Sequence, residues 1–205
     1  MSDKYIYLVF SMTGTWLARL IRMISKLKYV HTSISFDDNF MQMYSFGRID
    51  PENPFWGGFV EEDLYEGVYR RYSKCQCLIH RVQVTQEQYC HLQQLVEEFR
   101  QKKGRLKYNF LGLFGVLVNH PVKRKNYYFC SQFVAQILID SKVYNCGKDP
   151  GLMRTIDFFM MGNKDVLWEG SISDFLNQRA QSEFPRAPET AERYDLDRTK
   201  ERDHQ

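Results

Sequence analysis

Two short runs of alternating apolar and polar residues, joined by a three-residue turn, constrain the fold most strongly. The runs cover residues 29–36 and 40–46, and the turn Asp-Asp-Asn lies between them. A turn this short brings two strands together as an antiparallel hairpin. Residues 5–10, in which aromatic and aliphatic side chains alternate, and residues 75–84, which alternate clearly, are also predicted strands. Locally paired strands that are separated by helical segments predict an α+β fold, with an antiparallel sheet packed against helices.

Helical periodicity marks three longer segments. The first runs from Thr15 to about Lys28, with apolar side chains on one side and basic side chains on another. The second begins at Thr85, a good N-cap, and ends before Gly104. The third covers residues 129–141. Shorter predicted elements are extended pieces within 59–72, an apolar helix or buried turn at 109–119, a helix-like run at 151–161, a strand at 166–168 and an exit from the core at 173–179.

Length and composition favour a single soluble domain. The 205 residues divide into a predicted domain at 1–182 and a charged tail at 183–205, which is expected to be mobile. Five cysteines without regular spacing argue against a secreted disulfide scaffold. With no signal-peptide pattern, no transmembrane segment and a net charge of only +3, a cytoplasmic protein with no nucleic-acid partner is expected. The basic helix after Thr15 leaves peripheral membrane contact open.

The third helix begins at Cys130, in the run Tyr-Tyr-Phe-Cys-Ser-Gln-Phe-Val-Ala. A thiol at a helix N-terminus faces unpaired backbone N–H groups and the positive end of the helix dipole. Both favour the thiolate, which is the nucleophile. The polar neighbours Ser131 and Gln132 suit the edge of a cleft. The simpler interpretation is that Cys130 is a small core hydrophobe, as most free cysteines are.

A nucleophilic cysteine needs a base, and the best candidate is His31 on the first strand of the hairpin. Its imidazole would take or share the thiol proton and later protonate the leaving group. A third polar group is needed to fix the orientation of the ring. The candidates on the adjacent strand are Gln42, Tyr44 and Ser45, of which Ser45 faces opposite to the other two.

These motifs resemble those of the circularly permuted NlpC/P60 group of papain-like enzymes, which includes the YiiX/YaeF-like and the lecithin:retinol acyltransferase-like proteins. The motifs are Tyr-Val-His-Thr-Ser-Ile-Ser around His31, Met-Tyr-Ser-Phe-Gly ending at Gly47, and the cysteine helix. In the permuted branch the histidine strand precedes the cysteine helix, as it does here. The resemblance covers residues 5–144. It implies that Cys130 is the nucleophile, His31 the base and Ser45 the third residue, where the family more often has histidine or glutamate.

The resemblance implies a cysteine hydrolase or acyltransferase that cleaves an amide or ester through an acyl-thioester on Cys130, without a metal or organic cofactor. The substrate would be a small peptide or a lipid-linked compound. Tyr44, Trp56 and Thr13 are the expected substrate-binding residues, on the hairpin, in an aromatic loop and after the first strand. The competing hypothesis is a non-catalytic binding module on the same fold, which the uncharged Ser45 favours. The sequence leaves the oligomeric state open.

A zinc site is the other chemistry that the residue types suggest. The side chains concerned are Cys75, Cys77, His80, Cys90 and His91. Cys75 and Cys77 share a strand face, but His80 points to the opposite face, and the two helical residues diverge. Structural zinc sites use paired ligands at close spacing, so ordinary packing is the expected role of these five side chains.

Overall fold

The computed structural model describes residues 4–13, 22–23, 25–49, 56–72 and 74–183. Most of the helix predicted from Thr15 to Lys28 lies outside these residues, as does the predicted mobile tail from residue 184 onward.

An antiparallel sheet forms the centre of the molecule. The described strands are β1 (Lys4–Met12), β2 (His31–Ser35), β3 (Met43–Arg48), β4 (Gly57–Glu62), β5 (Gln76–Val84), β6 (Lys107–Tyr108), β7 (Tyr127–Tyr128) and β8 (Lys164–Ser171). Six of them form one sheet in the order β4-β3-β2-β1-β5-β8, in which every neighbouring pair is antiparallel. The short strands β6 and β7 pair in parallel. The predicted α+β class and antiparallel sheet are therefore confirmed.

Helices cover the sheet on both sides. The described α-helices are α1 (Gly67–Arg71), α2 (Gln86–Gln101), α3 (Phe110–Leu117), α4 (Cys130–Asp140) and α5 (Ile172–Glu183), with 3₁₀ turns at Lys103–Arg105, Pro150–Leu152 and Thr155–Met160. Helix α2 begins as predicted, because the Thr85 hydroxyl accepts from the Gln88 N–H and the Gln88 side chain accepts from the Thr85 N–H. Such a capping box contributes about 1 kcal/mol to helix stability.

The sheet buries apolar side chains on both of its faces. One core lies against α2 and α4 and includes Leu8, Phe46, Leu92, Phe133 and Leu138. The other lies against α1 and α5 and includes Val9, Met43, Tyr69, Ile79 and Phe175. Strand β1 supplies both cores, because its side chains alternate between the faces. The predicted exit from the core at residues 173–179 is wrong, since α5 begins there and buries Phe175.

The packing of α4 on β2 and β3 positions the candidate site. His31 is the first residue of β2, and Cys130 is the first residue of α4. The sulfur of Cys130 lies 3.8 Å from the carbonyl oxygen of Val30, immediately before β2. The two residues that the sequence pairs across 99 positions therefore meet at one end of the sheet–helix contact.

Candidate functional site

Cys130 lies at a helix start that no side chain caps. Phe129 occupies the N-cap position and makes no capping hydrogen bond, so the first backbone N–H groups of α4 stay available near the sulfur. The thiol is 3% exposed. Ser131 and Gln132 are also buried, and the Ser131 hydroxyl donates to the carbonyl oxygen of Met153 at 2.6 Å. Their polarity therefore does not mark an open cleft edge, contrary to the prediction from sequence.

His31 links Cys130 to a carboxylate. Its Nε2 lies 2.9 Å and 3.1 Å from the two carboxylate oxygens of Glu62, and its ring is hydrogen-bonded to Cys130. Because Glu62 engages Nε2, the other ring nitrogen is left for the sulfur. Burial lowers the pKa of His31, but the charge of Glu62 and the hydrogen bonds to Cys130 and Glu62 outweigh it. They hold that pKa well above 6.5.

Glu62 is a buried carboxylate that accepts three side-chain hydrogen bonds. The donors are Nε2 of His31, the Ser33 hydroxyl at 2.5 Å and the Tyr69 hydroxyl at 3.3 Å. Burial raises the pKa of Glu62, but the charge of His31 and these hydrogen bonds give a net lowering, so the group stays ionised. Gly47 leaves room for this contact, since a Cβ there would lie 3.7 Å from Glu62 Oε1 and 3.9 Å from His31 Cε1.

The three residues that the sequence offered as partners of His31 bind elsewhere. The Ser45 hydroxyl donates to the carbonyl oxygen of Thr32 at 2.6 Å. The ring of Tyr44 packs against Phe36 and Phe59, and the amide of Gln42 donates to Glu61 at 3.4 Å. The prediction that one of these three residues orients His31 is therefore wrong, and Glu62 is the side chain that binds its ring.

Glu62 was not among the predicted partners of His31, because all three lay on or next to β3, the neighbouring strand of the hairpin. Glu62 comes from β4, one strand further out in the sheet. Its long side chain reaches back beside Gly47, which has no side chain to block it. The sequence offered one signal for this residue. Two adjacent acidic residues, Glu61 and Glu62, follow Phe59 and Val60 in a segment that was predicted only as short extended pieces.

Tyr108 is a further site residue that the sequence did not indicate. Burial raises the pKa of Tyr108 well above 10.0, and the charge of Cys130 and a hydrogen bond to it raise the pKa further. Its place on β6 is fixed by close packing on β4, because a Cβ at Gly57 would lie only 2.8 Å from the Tyr108 Cβ. Sequence spacing gives no reason to connect a two-residue strand with Cys130.

A cavity of about 680 Å³ lies beside the site, with Tyr108 in its wall. Trp56, predicted to bind substrate, lines this cavity and is 59% exposed. Cys130 does not line it, and Tyr108 is the residue that links the cavity wall to the surroundings of Cys130. The other two predicted substrate-binding residues lie elsewhere, with Tyr44 packed against the core and Thr13 buried after β1.

No protein-family model matches the chain, and no curated protein matches it. Among solved structures, the chain is similar to the crystal structure of metalloprotein YiiX, DUF1105, from Escherichia coli O157:H7. The sequences are 12% identical over 83% of this chain and 99% of that chain, with a TM-score of 0.54. At this identity the likeness shows a shared fold. The neighbour belongs to the YiiX/YaeF-like proteins, one of the groups that the sequence motifs resemble.

The word metalloprotein describes that neighbour, and the residues described for this chain do not fit a metal ion. Among them, no group of three or more His, Cys, Asp and Glu side chains is placed to hold one. Cys130, His31 and Glu62 are arranged in series, with the imidazole between the other two groups, rather than around a common centre. No chemical step is therefore assigned to a metal here.

Proposed function

We propose that the protein is a thiol hydrolase or acyltransferase of the permuted NlpC/P60, papain-like type, which acts on an amide or ester. The observation that carries this proposal is the series Cys130–His31–Glu62. An imidazole whose pKa is raised well above 6.5 lies between a thiol at a helix start and an ionised carboxylate. Positively charged neighbours and helix N-termini are the features that activate cysteine nucleophiles. The fold likeness to YiiX supports the same family.

In the proposed reaction, the Cys130 thiolate attacks the carbonyl carbon and forms a C–S bond. The tetrahedral intermediate collapses as His31 donates its proton to the leaving amine or alcohol, which breaks the C–N or C–O bond. The acyl-thioester then reacts with water or with an acceptor nucleophile, whose proton returns to His31. The C–S bond breaks and the thiolate is restored. Glu62 holds the imidazole in position and stabilises its charged form.

The oxyanion of the intermediate would be stabilised at the start of α4. The N-cap residue Phe129 makes no side-chain hydrogen bond to the N–H groups of the first turn, and these groups would be the donors to the oxyanion. The Tyr108 hydroxyl, whose pKa is raised by burial and by the charge of Cys130, would be a second donor. Substrate would approach from the cavity that Tyr108 and Trp56 line.

The decisive experiment combines turnover with site-specific labelling. A panel of activated esters and peptide amides is assayed with the wild-type chain, and an acyl-directed probe is mapped by mass spectrometry. Cys90 and Cys146 are exposed, so the assays use a Cys90→Ala, Cys146→Ala background. Adding Cys130→Ala should abolish both turnover and labelling, whereas adding Cys77→Ala should change neither. Labelling that persists without Cys130 would sink the assignment.

A non-catalytic binding module is the second candidate, and the burial of the sulfur favours it. Cys130 is 3% exposed and is absent from the wall of the cavity. Such a module would use the cavity for a ligand and keep the thiol as a structural contact. It predicts that no ester or amide in the panel is turned over, and that a ligand of the cavity binds Cys130→Ala as tightly as the wild type. The enzyme hypothesis predicts measurable turnover in the wild type.

A further inference from the structure

Helix α3 turns its large apolar side chains towards solvent. Leu111, Phe114, Leu117 and the following Val118 are 53%, 59%, 49% and 73% exposed. Their spacing places them on one side of the helix, and they are called the α3 apolar face below. A surface helix of a globular protein normally carries polar side chains on its exposed side, whereas α3 is apolar on this side as well as on the side that packs on the core.

The buried side of α3 carries two glycines, with Leu113 and Val116 partly buried against the core beside them. A Cβ at Gly112 would lie 2.6 Å from the side-chain nitrogen of Asn109, and a Cβ at Gly115 would lie 2.4 Å from the carbonyl oxygen of His120. The helix therefore touches the neighbouring chain at its backbone, which only glycine permits. Rotating the helix to bury the α3 apolar face would break this packing. Exposure of the face is consequently a fixed property of the fold.

The chain around α3 carries charge of one sign. Between Phe99 and Ile139 there are eight Lys and Arg residues and no Asp or Glu, although the whole chain has 28 basic and 25 acidic residues. Four of the eight pair with acidic side chains from outside this stretch, namely Arg100, Lys102, Lys103 and Lys123. Within the described part of the chain no ion pair joins the other four to an acidic side chain, namely Arg105, Lys107, Arg124 and Lys125.

Two of these cations lie with the first residue of α3 in the wall of the cavity. Lys107 and Arg124 line the cavity together with Phe110, the first residue of α3. Trp56 and Ile49 also line it and are 59% and 48% exposed. Apolar side chains beside cations and an exposed tryptophan are the combination found at the boundary between lipid head groups and acyl chains.

We propose that the α3 apolar face docks into the surface of an anionic lipid bilayer. The four apolar side chains would enter the boundary below the head groups, while Lys107, Arg124 and Lys125 contact lipid phosphates. The four cations of this stretch that form no ion pair with an acidic side chain in the described part of the chain favour an anionic partner. No helix in the described ranges is long and apolar enough to cross a bilayer, so the contact is peripheral. It does not depend on chemistry at Cys130.

Vesicle flotation with the full chain tests this proposal. The wild type should float with vesicles of phosphatidylcholine and phosphatidylglycerol, and less with phosphatidylcholine alone. Phe114→Ser with Val118→Ser should weaken binding to the mixed vesicles roughly tenfold or more. Lys107→Glu and Lys125→Glu should each weaken it about fivefold or more, and added salt should act in the same direction. Cys130→Ala should bind like the wild type.

The matched control removes two equally exposed apolar side chains elsewhere. Met160 and Val166 are 80% and 62% exposed, and Met160→Ser with Val166→Ser should leave vesicle binding within about twofold of the wild type. Circular dichroism of each variant checks that the fold is intact. A wild-type chain that ignores both vesicle types overturns the proposal. A second outcome would also overturn it: the α3 double variant binds vesicles like the wild type but no longer self-associates or no longer captures a protein partner.

Discussion

His31 and His80 lie on either side of the same strand, and their surroundings differ in one respect. His31 on β2 pairs with Ser11 of β1, and His80 on β5 pairs with Leu8 of β1. His31 meets a carboxylate and a thiol, whereas His80 packs edge-on against Phe10 and Phe159 with ring centroids 5.1 Å and 5.4 Å away. Two histidines of one sheet, His31 partly buried and His80 fully buried, therefore have opposite chemical surroundings.

The consequence appears in their acid–base behaviour. Burial and the charge of Lys164 lower the pKa of His80 to about 4, and its Nδ1 has no hydrogen-bond partner among the described residues. Burial also lowers the pKa of His31, but Glu62 and Cys130 raise it by more, so the net change is upward. Cys77, on the same strand as His80, is likewise kept uncharged by burial, which raises the pKa of its thiol to about 12. Burial of a histidine or cysteine thus produces an inert group unless a charged partner is placed beside it.

The largest expected effect of this difference is on catalysis. His31→Ala should lower kcat on a turned-over ester by roughly 10²–10⁴-fold, since it removes the general acid and base. His80→Leu should leave kcat within about twofold, because that ring touches only aromatic side chains. Steady-state kinetics of both variants provides the comparison. Equal losses in the two would show that any buried histidine of this sheet matters only for folding.

The second effect is on stability in acid and concerns His80. Its pKa is about 4 in the folded chain and near 6.5 unfolded, so the unfolded chain binds more protons between these values. The free energy of unfolding therefore falls as pH drops from 6.5 to 4. His80→Leu should remove this loss, which amounts to about 3 kcal/mol at pH 4. Urea denaturation at pH 4 and pH 7 measures it, and an unchanged pH dependence would contradict the prediction.

His31 should contribute to the pH dependence with the opposite sign. Because its folded pKa lies above the unfolded value of 6.5, its contribution to stability is complete below 6.5 and is lost as pH rises through the folded value. Glu62, with a lowered pKa, contributes above its unfolded value of 4.5 and loses that contribution as pH falls through the folded value. The His31–Glu62 pair is therefore most stabilising between these limits.

The third effect concerns two adjacent glutamates of β4. Glu62→Gln should lower kcat roughly 10- to 100-fold, since the amide keeps much of the shape but not the charge that stabilises the imidazolium. The pKa of His31 should fall, so the basic limb of the pH–rate profile should move to lower pH. Glu61→Gln is the matched control, because Glu61 pairs with Arg100 and Lys103 at the surface. A basic limb that stays in place in Glu62→Gln would mean that Glu62 does not control His31.

The sequence predicted those parts of the site that depend on local pattern. Cys130 opens a helix and His31 opens a strand, and both positions follow from alternation and from helix-start chemistry. The hairpin fixes β2 beside β3, so it correctly placed Ser45 near β2. It also drew attention to the wrong strand. Glu62 is reached only when the full order β4-β3-β2 and the gap at Gly47 are known.

Other features depend on contacts that no periodicity encodes. Tyr108 lies in a two-residue strand that pairs with β7 and packs on Gly57 of β4, and those partners are separated in sequence. The orientation of α3 is similar. Its sequence predicted an apolar helix or a buried turn without saying which side faces inward, and the close contacts of Gly112 and Gly115 hold their side of the helix against the rest of the chain. Hydrophobicity identified the helix, but packing decided which side faces solvent.

The smallest expected effect separates two serines, and it tests the third position directly. Ser33 donates to Glu62, whereas Ser45 donates to the backbone of β2. Ser33→Ala should lower kcat roughly three- to tenfold, because a charge-assisted hydrogen bond that holds the Glu62 carboxylate is lost. Ser45→Ala should cost about 1 kcal/mol in free energy of unfolding and change kcat less than about twofold, since its bond lies away from the imidazole. Kinetics and urea denaturation of both variants decide the matter. The reverse result would be a loss of kcat in Ser45→Ala alone. It would mean that Ser45, and not Glu62, orients the imidazole of His31.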